Sequence, residues 1–196
     1  MNGSSAFRYV VGVDEVGRGP IAGPLAVCAL KVDRNFSRIL GEIKDSKKLS
    51  AAARERWFGR IMALAAEGAV SYALSFISVF SLDKIGMRAA LRLAVSRALG
   101  RLRLPPAESL VLLDGGLSAP RRFIYQETVV KGDETIPVIA LASIVAKVRR
   151  DRRMAAVAKR YPLYGFERHK GYGTKEHYAR ISLHGICPIH RRSFLL

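Results

Sequence analysis

Acidic residues are scarce in this 196-residue sequence: 16 Asp and Glu stand against 33 Lys and Arg, a formal charge of +17. That imbalance points to a polyanionic partner, with nucleic acid ahead of an anionic membrane surface. Cysteine is nearly missing. Cys28 and Cys187 lie far apart in apolar contexts, which argues against a disulfide framework or a cysteine-rich zinc ribbon. No apolar run approaches the roughly 20 residues that span a bilayer, and "MNGSSAFRYVVGVDE" lacks a charged start leading into a long apolar stretch. The expectation is a cytoplasmic protein, neither secreted by that route nor membrane-spanning. Repeats, low-complexity segments and long linkers are absent too, so the chain is expected to form one domain, or one domain with a modest appendage, and its 49% hydrophobic composition is ample for a real core.

What is present reads as strands first, then helices between strands. "YVVGV" and "PLAVCALKV" are β-branched and apolar and flank a glycine turn, which predicts two paired, buried strands. Ser50 is placed to cap a helix running to about Glu67, with Gly68 as its stop. "AVSYALSFIS" predicts a third strand, Leu82 to Leu99 a helix, and "SLVLLD" and "RFIYQETVV" two more strands. Pro137 suits the first turn of a helix that runs unbroken to Pro162. The order implies an α/β layer structure, with the residues from about Tyr161 onward packed beside the sheet.

Four of the few carboxylates share a setting. Asp14 and Glu15 are the only acidic residues between Met1 and Val32, and they separate an apolar run from "VGRGPIAGP". Asp114 ends "LVLL" ahead of Gly115 and Gly116, and Asp133 follows Gly132 before the long helix. Such positions fall at the rim of a sheet, where one cleft gathers side chains from several elements. Carboxylates that converge among basic residues suit Mg2+ or Mn2+, and hence metal-dependent phosphodiester chemistry. Taken singly, Asp133 is equally well read as a helix cap and Asp114 as a turn residue. Neighbours in a regular strand point to opposite faces, so Asp14 and Glu15 are expected to share a site only if the strand is irregular there. Gly17 and Gly19 permit such a break.

"GVDEVGRGPIAGP", "KDSKKLS", "LLDGG", "VVKGDETIPVIALASIVAKVRRD", "YPLYGFERHKGYGT" and "HRRSF" together resemble the prokaryotic type 2 ribonuclease H family, ribonuclease HII, from about residue 9 to residue 194. The resemblance implies an α/β ribonuclease H-like fold, a mixed five-stranded sheet flanked by helices. It implies one domain over residues 1–196, with 161–196 as a C-terminal helical segment that clasps the substrate. The implied activity is endonucleolytic cleavage of the RNA strand of RNA/DNA hybrids, and 5′ to single ribonucleotides embedded in duplex DNA. A two-metal-ion mechanism would leave 5′-phosphate and 3′-hydroxyl ends.

By the same resemblance Asp14, Glu15, Asp114 and Asp133 are the catalytic, metal-binding carboxylates. Gly17, Arg18 and Gly19 form a turn that recognises the ribose 2′-hydroxyl, and Tyr172 packs near that ribonucleotide. Lys47 contacts backbone phosphate, with Lys48, Ser143, Lys147 and Lys170 as weaker candidates. From Lys147 to Arg160 seven basic residues face one acid, Asp151, enough for a phosphate-tracking helix face. The sequence departs from the usual family pattern at Gly116, Leu141, Arg149 and "DKIGMRAA", and none of these removes a metal ligand. It ends two residues after "HRRSF", short of the longer C-terminal tail of the family pattern. The expected partners are RNA/DNA hybrid and ribonucleotide-containing duplex DNA, without a membrane, and nothing requires more than a monomer. The rival readings are a non-catalytic basic nucleic-acid-binding module on this fold and the related type 3 subgroup. "HGICPIH" spaces His184, Cys187 and His190 evenly, but it lacks a fourth zinc ligand and favours substrate-side or structural roles.

Overall fold

The apolar opening run forms strand β1 (Tyr9–Val16), and beyond the glycine turn the chain returns as β2 (Leu25–Asp33). The computed structural model describes residues 7–34 and 49–195. Helix α1 (Ala51–Ala66) starts where expected, because the Ser50 hydroxyl accepts the Ala53 N–H at 3.2 Å. Strand β3 (Val70–Ile77), helix α2 (Val79–Arg101) and strand β4 (Ser109–Asp114) follow. The helix begins three residues before the expected Leu82, since Ser78 caps it, and it is interrupted at Gly86 within "DKIGMRAA".

Strand β5 (Gln126–Val129) takes only part of "RFIYQETVV", because the Phe123 N–H closes a turn on the Pro120 carbonyl at 3.0 Å. A single helical turn, α3 (Gly132–Thr135), precedes the long helix α4 (Pro137–Arg160). Two further helices, α5 (Phe166–His169) and α6 (Lys175–His184), make up much of the C-terminal part.

The sheet is five-stranded and mixed, in the order β3-β2-β1-β4-β5. The pairs β3–β2 and β2–β1 are antiparallel, whereas β1–β4 and β4–β5 are parallel. Alternation along the strands feeds two cores. Val11, Val13, Val27 and Val111 pack against Ala94 and Leu99 of α2. Cys28 and Leu30 face the other way, onto Phe58 and Ile61 of α1 and Ile139 and Val145 of α4. Gly12 lies on this second face, and a β-carbon there would sit 2.2 Å from the Val138 carbonyl oxygen. The start of α4 therefore rests directly on β1, two residues before Asp14.

A third cluster joins Ala22 of the glycine turn to Met154 of α4 and to Tyr164, Phe166 and Cys187. It seats the C-terminal part against the sheet end that carries Asp14. Among the described residues no helix is long and apolar enough to cross a membrane.

Candidate active site

The ladder between β1 and β4 ends at Val13 and Leu113, so among the described residues Asp14 to Val16 have no strand neighbour on that side. A cleft of about 360 Å³ opens there, lined by Asp14, Glu15, Asp114, Asp133, Ser143 and Tyr172 among others. One carboxylate oxygen from each of Asp14, Glu15 and Asp114 lies within 4.8 Å of the others. The expected break in the strand is not needed for this. Pairing with β2 continues regularly through Glu15–Val27 and Val16–Ala26. Because the sheet is open beside β1, the short Asp14 and the longer Glu15 reach one notch from opposite faces of the strand. The break comes later, at Gly17, whose φ is 97°.

Asp133 joins the cleft differently. It is buried, and its backbone N–H donates to Asp114 Oδ1 at 3.3 Å. Its carboxylate lines the same cleft but stands outside the close group of three.

The group is electrostatically uncomfortable by itself. Asp14 is 5% exposed, and burial pushes its carboxyl up to about 8, against the pull of a Ser143 hydrogen bond, with Glu15 and Asp114 adding repulsion. Burial also raises Glu15, opposed by Arg18, whose guanidinium donates to Oε1 at 3.0 Å. The second oxygen, Oε2, is buried without a hydrogen-bond partner among the described residues. An orphaned carboxylate oxygen beside two more carboxylates is a donor set that fits a hard divalent cation.

Beside the carboxylates lies the glycine turn. Gly17 is buried, while Arg18 and Gly19 are exposed. A β-carbon on Gly19 would meet only the ring of Tyr172, at 4.0 Å, so the turn and the tyrosine share one open face. Tyr172 is 41% exposed, with the Lys147 ammonium 5.9 Å from its ring centre.

A family model for ribonuclease HII matches residues 11–196. The chain belongs to the ribonuclease HII family. A ribonuclease HII of Caldicellulosiruptor bescii is 41% identical over 98% of this chain and 89% of its own. Among solved structures, the ribonuclease H2 of Pyrococcus horikoshii superposes with a TM-score of 0.75 at 25% identity, covering 94% of this chain and 93% of that one. Bst-RNase HIII in complex with Mn2+ has a TM-score of 0.65 at 23% identity, over 92% of this chain and 64% of that one. Ribonuclease HII proteins are metal-dependent endoribonucleases that cleave RNA in RNA/DNA hybrids.

Within this ribonuclease HII fold the other expected residues are distributed unevenly. Ser143 and Lys147 line the cleft, and Lys147 also pairs with Asp151 at 2.9 Å. Lys170 turns away, donating to the Glu167 carbonyl at 2.7 Å. Lys47 and Lys48 fall outside the described residues. Arg54 lines the cleft from α1 and went unrecognised, because its only signal was a basic residue one turn after the Ser50 cap.

The seven-residue basic face of α4 is smaller than its sequence suggests. Arg150 is fully buried, since the helix passes beneath the glycine turn, and Arg152 pairs with Glu55 at 2.6 Å. Cys187 is buried in the third core cluster and His190 is buried against its Tyr164 and Phe166 rings, and neither is grouped as a metal ligand among the described residues.

Proposed function

We propose that this cleft cuts the RNA strand of RNA/DNA hybrids and the 5′ side of single ribonucleotides in duplex DNA, leaving 5′-phosphate and 3′-hydroxyl ends. The observation that carries the reading is the meeting of Asp14, Glu15 and Asp114 within 4.8 Å, next to a glycine turn that shares its open face with Tyr172.

Asp14, Glu15 and Asp114 would hold Mg2+ or Mn2+, with Asp133 completing the set from the cleft wall. When bound, two such ions supply an activated water and charge stabilisation at the leaving 3′ oxygen. The protein's own groups do the rest. Ser143 steadies Asp14, and Arg18 keeps one Glu15 oxygen engaged while the other is left without a hydrogen-bond partner among the described residues. Gly17, Arg18 and Gly19 bring bare backbone close to the ribose, where the 2′-hydroxyl separates RNA from DNA. Tyr172 packs against the sugar on the same side. Lys47 and Lys147 provide phosphate contacts, and residues 161–196 of this single domain clasp the duplex.

The test is gel analysis of a duplex carrying one ribonucleotide, with wild type and Asp14→Asn, in Mg2+, Mn2+ or chelator. Metal-dependent nicking 5′ of the ribonucleotide, lost in the variant, is the expected result. Binding without cutting of this duplex and of a long hybrid, in either metal, would overturn it.

A further inference from the structure

Two fully buried arginines meet at the glycine turn, and neither pairs with a carboxylate among the described residues. Arg191 donates from Nη2 to the Gly17 carbonyl at 2.6 Å, from Nη1 to the Arg18 carbonyl at 3.1 Å and from Nε to the Gly23 carbonyl at 2.9 Å. Arg150 donates from Nε to the Pro24 carbonyl at 2.9 Å, from Nη2 to Ala22 at 3.3 Å and from Nη1 to Lys170 at 3.0 Å. All six acceptors are backbone carbonyls. Five belong to residues 17–24, and the sixth lies two residues before Tyr172.

The direction of these bonds matters. Every described peptide is trans, so the N–H and C=O of one peptide point in opposite directions. With the Gly17 and Arg18 carbonyls drawn inward to Arg191, the N–H groups of Arg18 and Gly19 point outward. Gly19 is where the turn faces Tyr172.

The backbone closes the same unit. Gly171 accepts from the Ile21 and Ala22 N–H groups at 2.9 and 3.1 Å, and the Arg191 N–H donates to Ile21 at 2.8 Å. The fit is tight: a β-carbon on Gly171, at φ 88°, would lie 2.3 Å from the Ala22 oxygen, and one on Gly17 would lie 2.5 Å from Arg150 Nε. Burial of two guanidinium groups is unfavourable unless each donor finds an acceptor, and a turn rich in inward carbonyls supplies them. An apolar pair of similar volume would fill the space and leave those carbonyls unsatisfied.

We propose that Arg150 and Arg191 are positioning residues that hold the Gly17–Pro24 turn and the Tyr172 segment as one rigid reader of the ribose 2′-hydroxyl. Arg191 aims the turn's amides, and Arg150 sets the turn at a fixed distance from Tyr172. Neither touches the substrate. The inference rests on the reading of this turn and Tyr172 given above.

The test uses the full chain in Mg2+ and compares KM for a duplex with one ribonucleotide with Ki of the all-DNA duplex of identical sequence, added as competitor. Wild type prefers the ribonucleotide. In Arg191→Lys, which keeps the charge but loses the three-way fork, the ratio of Ki to KM falls about tenfold while Ki stays unchanged. Met154→Ala loosens the same packing without removing any of the six bonds, and it keeps the ratio.

If Arg191→Lys fails to fold, Arg150→Lys carries the same expectation. Wild-type preference that both lysine variants retain overturns the inference alone. An equal loss in Met154→Ala reduces the arginines to general packing and overturns it as well. Absence of any preference in wild type overturns the underlying reading of the turn.

Discussion

His190 Nε2 lies 3.0 Å from His177 Nε2, and both rings are buried. The surrounding bonds fix their tautomers. The Cys187 N–H donates to His190 Nδ1 at 2.8 Å, shorter than the 3.2 Å from that nitrogen to the Cys187 carbonyl, which places the His190 proton on Nε2, where it donates a hydrogen bond to His177 Nε2. His177 then donates from Nδ1 to the Tyr172 carbonyl at 2.8 Å. His169 stacks on His177 with ring centres 4.2 Å apart, and it accepts the Gly171 N–H on Nδ1. The hydrogen-bonded pair of His190 and His177 thus anchors the backbone of Tyr172.

Acid should loosen this anchor. Burial lowers His177 to about 4, assisted by His169 and His190 and opposed by the Tyr172 carbonyl and Glu176. The unfolded chain protonates this residue near its ordinary value of about 6.5. The stabilisation is therefore complete above pH 6.5 and is lost as pH falls toward 4. The stability of wild type minus that of His177→Gln should shrink by on the order of 2 kcal/mol between pH 7 and 4.5 in denaturant titrations. A difference constant with pH would contradict the assignment of His177 as neutral.

At the carboxylates, function and stability should oppose each other. Without metal, the Asp14 carboxyl stays protonated up to about pH 8 in the fold but ionises near 4 when unfolded, so it costs stability at neutral pH. Asp14→Asn should therefore stabilise the chelated protein at pH 7 by about 1–3 kcal/mol. It should also depress cleavage by about 100-fold or more. Thermal melts complete the check: Mg2+ or Mn2+ should raise the wild-type Tm and leave the variant's unmoved.

Tyr172→Ala should lower cleavage at an isolated ribonucleotide more than cleavage of a long RNA/DNA hybrid. A long hybrid offers 2′-hydroxyls in many registers, whereas a single ribonucleotide must be held at one. Parallel kcat/KM measurements decide the matter, and equal losses on both substrates would refute selective reading by Tyr172.

Gly12→Ala should destabilise severely, by about 3 kcal/mol or more, because the added methyl meets the Val138 backbone oxygen rather than a movable side chain. Displacement of α4 would carry Ser143 and Lys147 with it, so a folded remnant should lose activity even at temperatures below its Tm. Circular dichroism melts paired with activity assays test this.

The sequence by itself determined the main strands and long helices, though not the short extent of β5 or the single turn α3, because strand and helix periods, the Ser50 cap and Pro137 are local signals. It also located all four carboxylates at element ends, since a charge that interrupts an apolar run is visible without coordinates. Only the tertiary structure decided how they meet. The pairing limit between β1 and β4 opens the notch that Asp14 and Glu15 share along an unbroken strand, and strand pairing is a property of two distant segments. The same distinction holds for the arginines. In sequence Arg150 looks like one more charge on a basic helix, and Arg191 one of two in "HRR". Each takes its role from carbonyls more than a hundred residues away, which only the packed fold brings within hydrogen-bond reach.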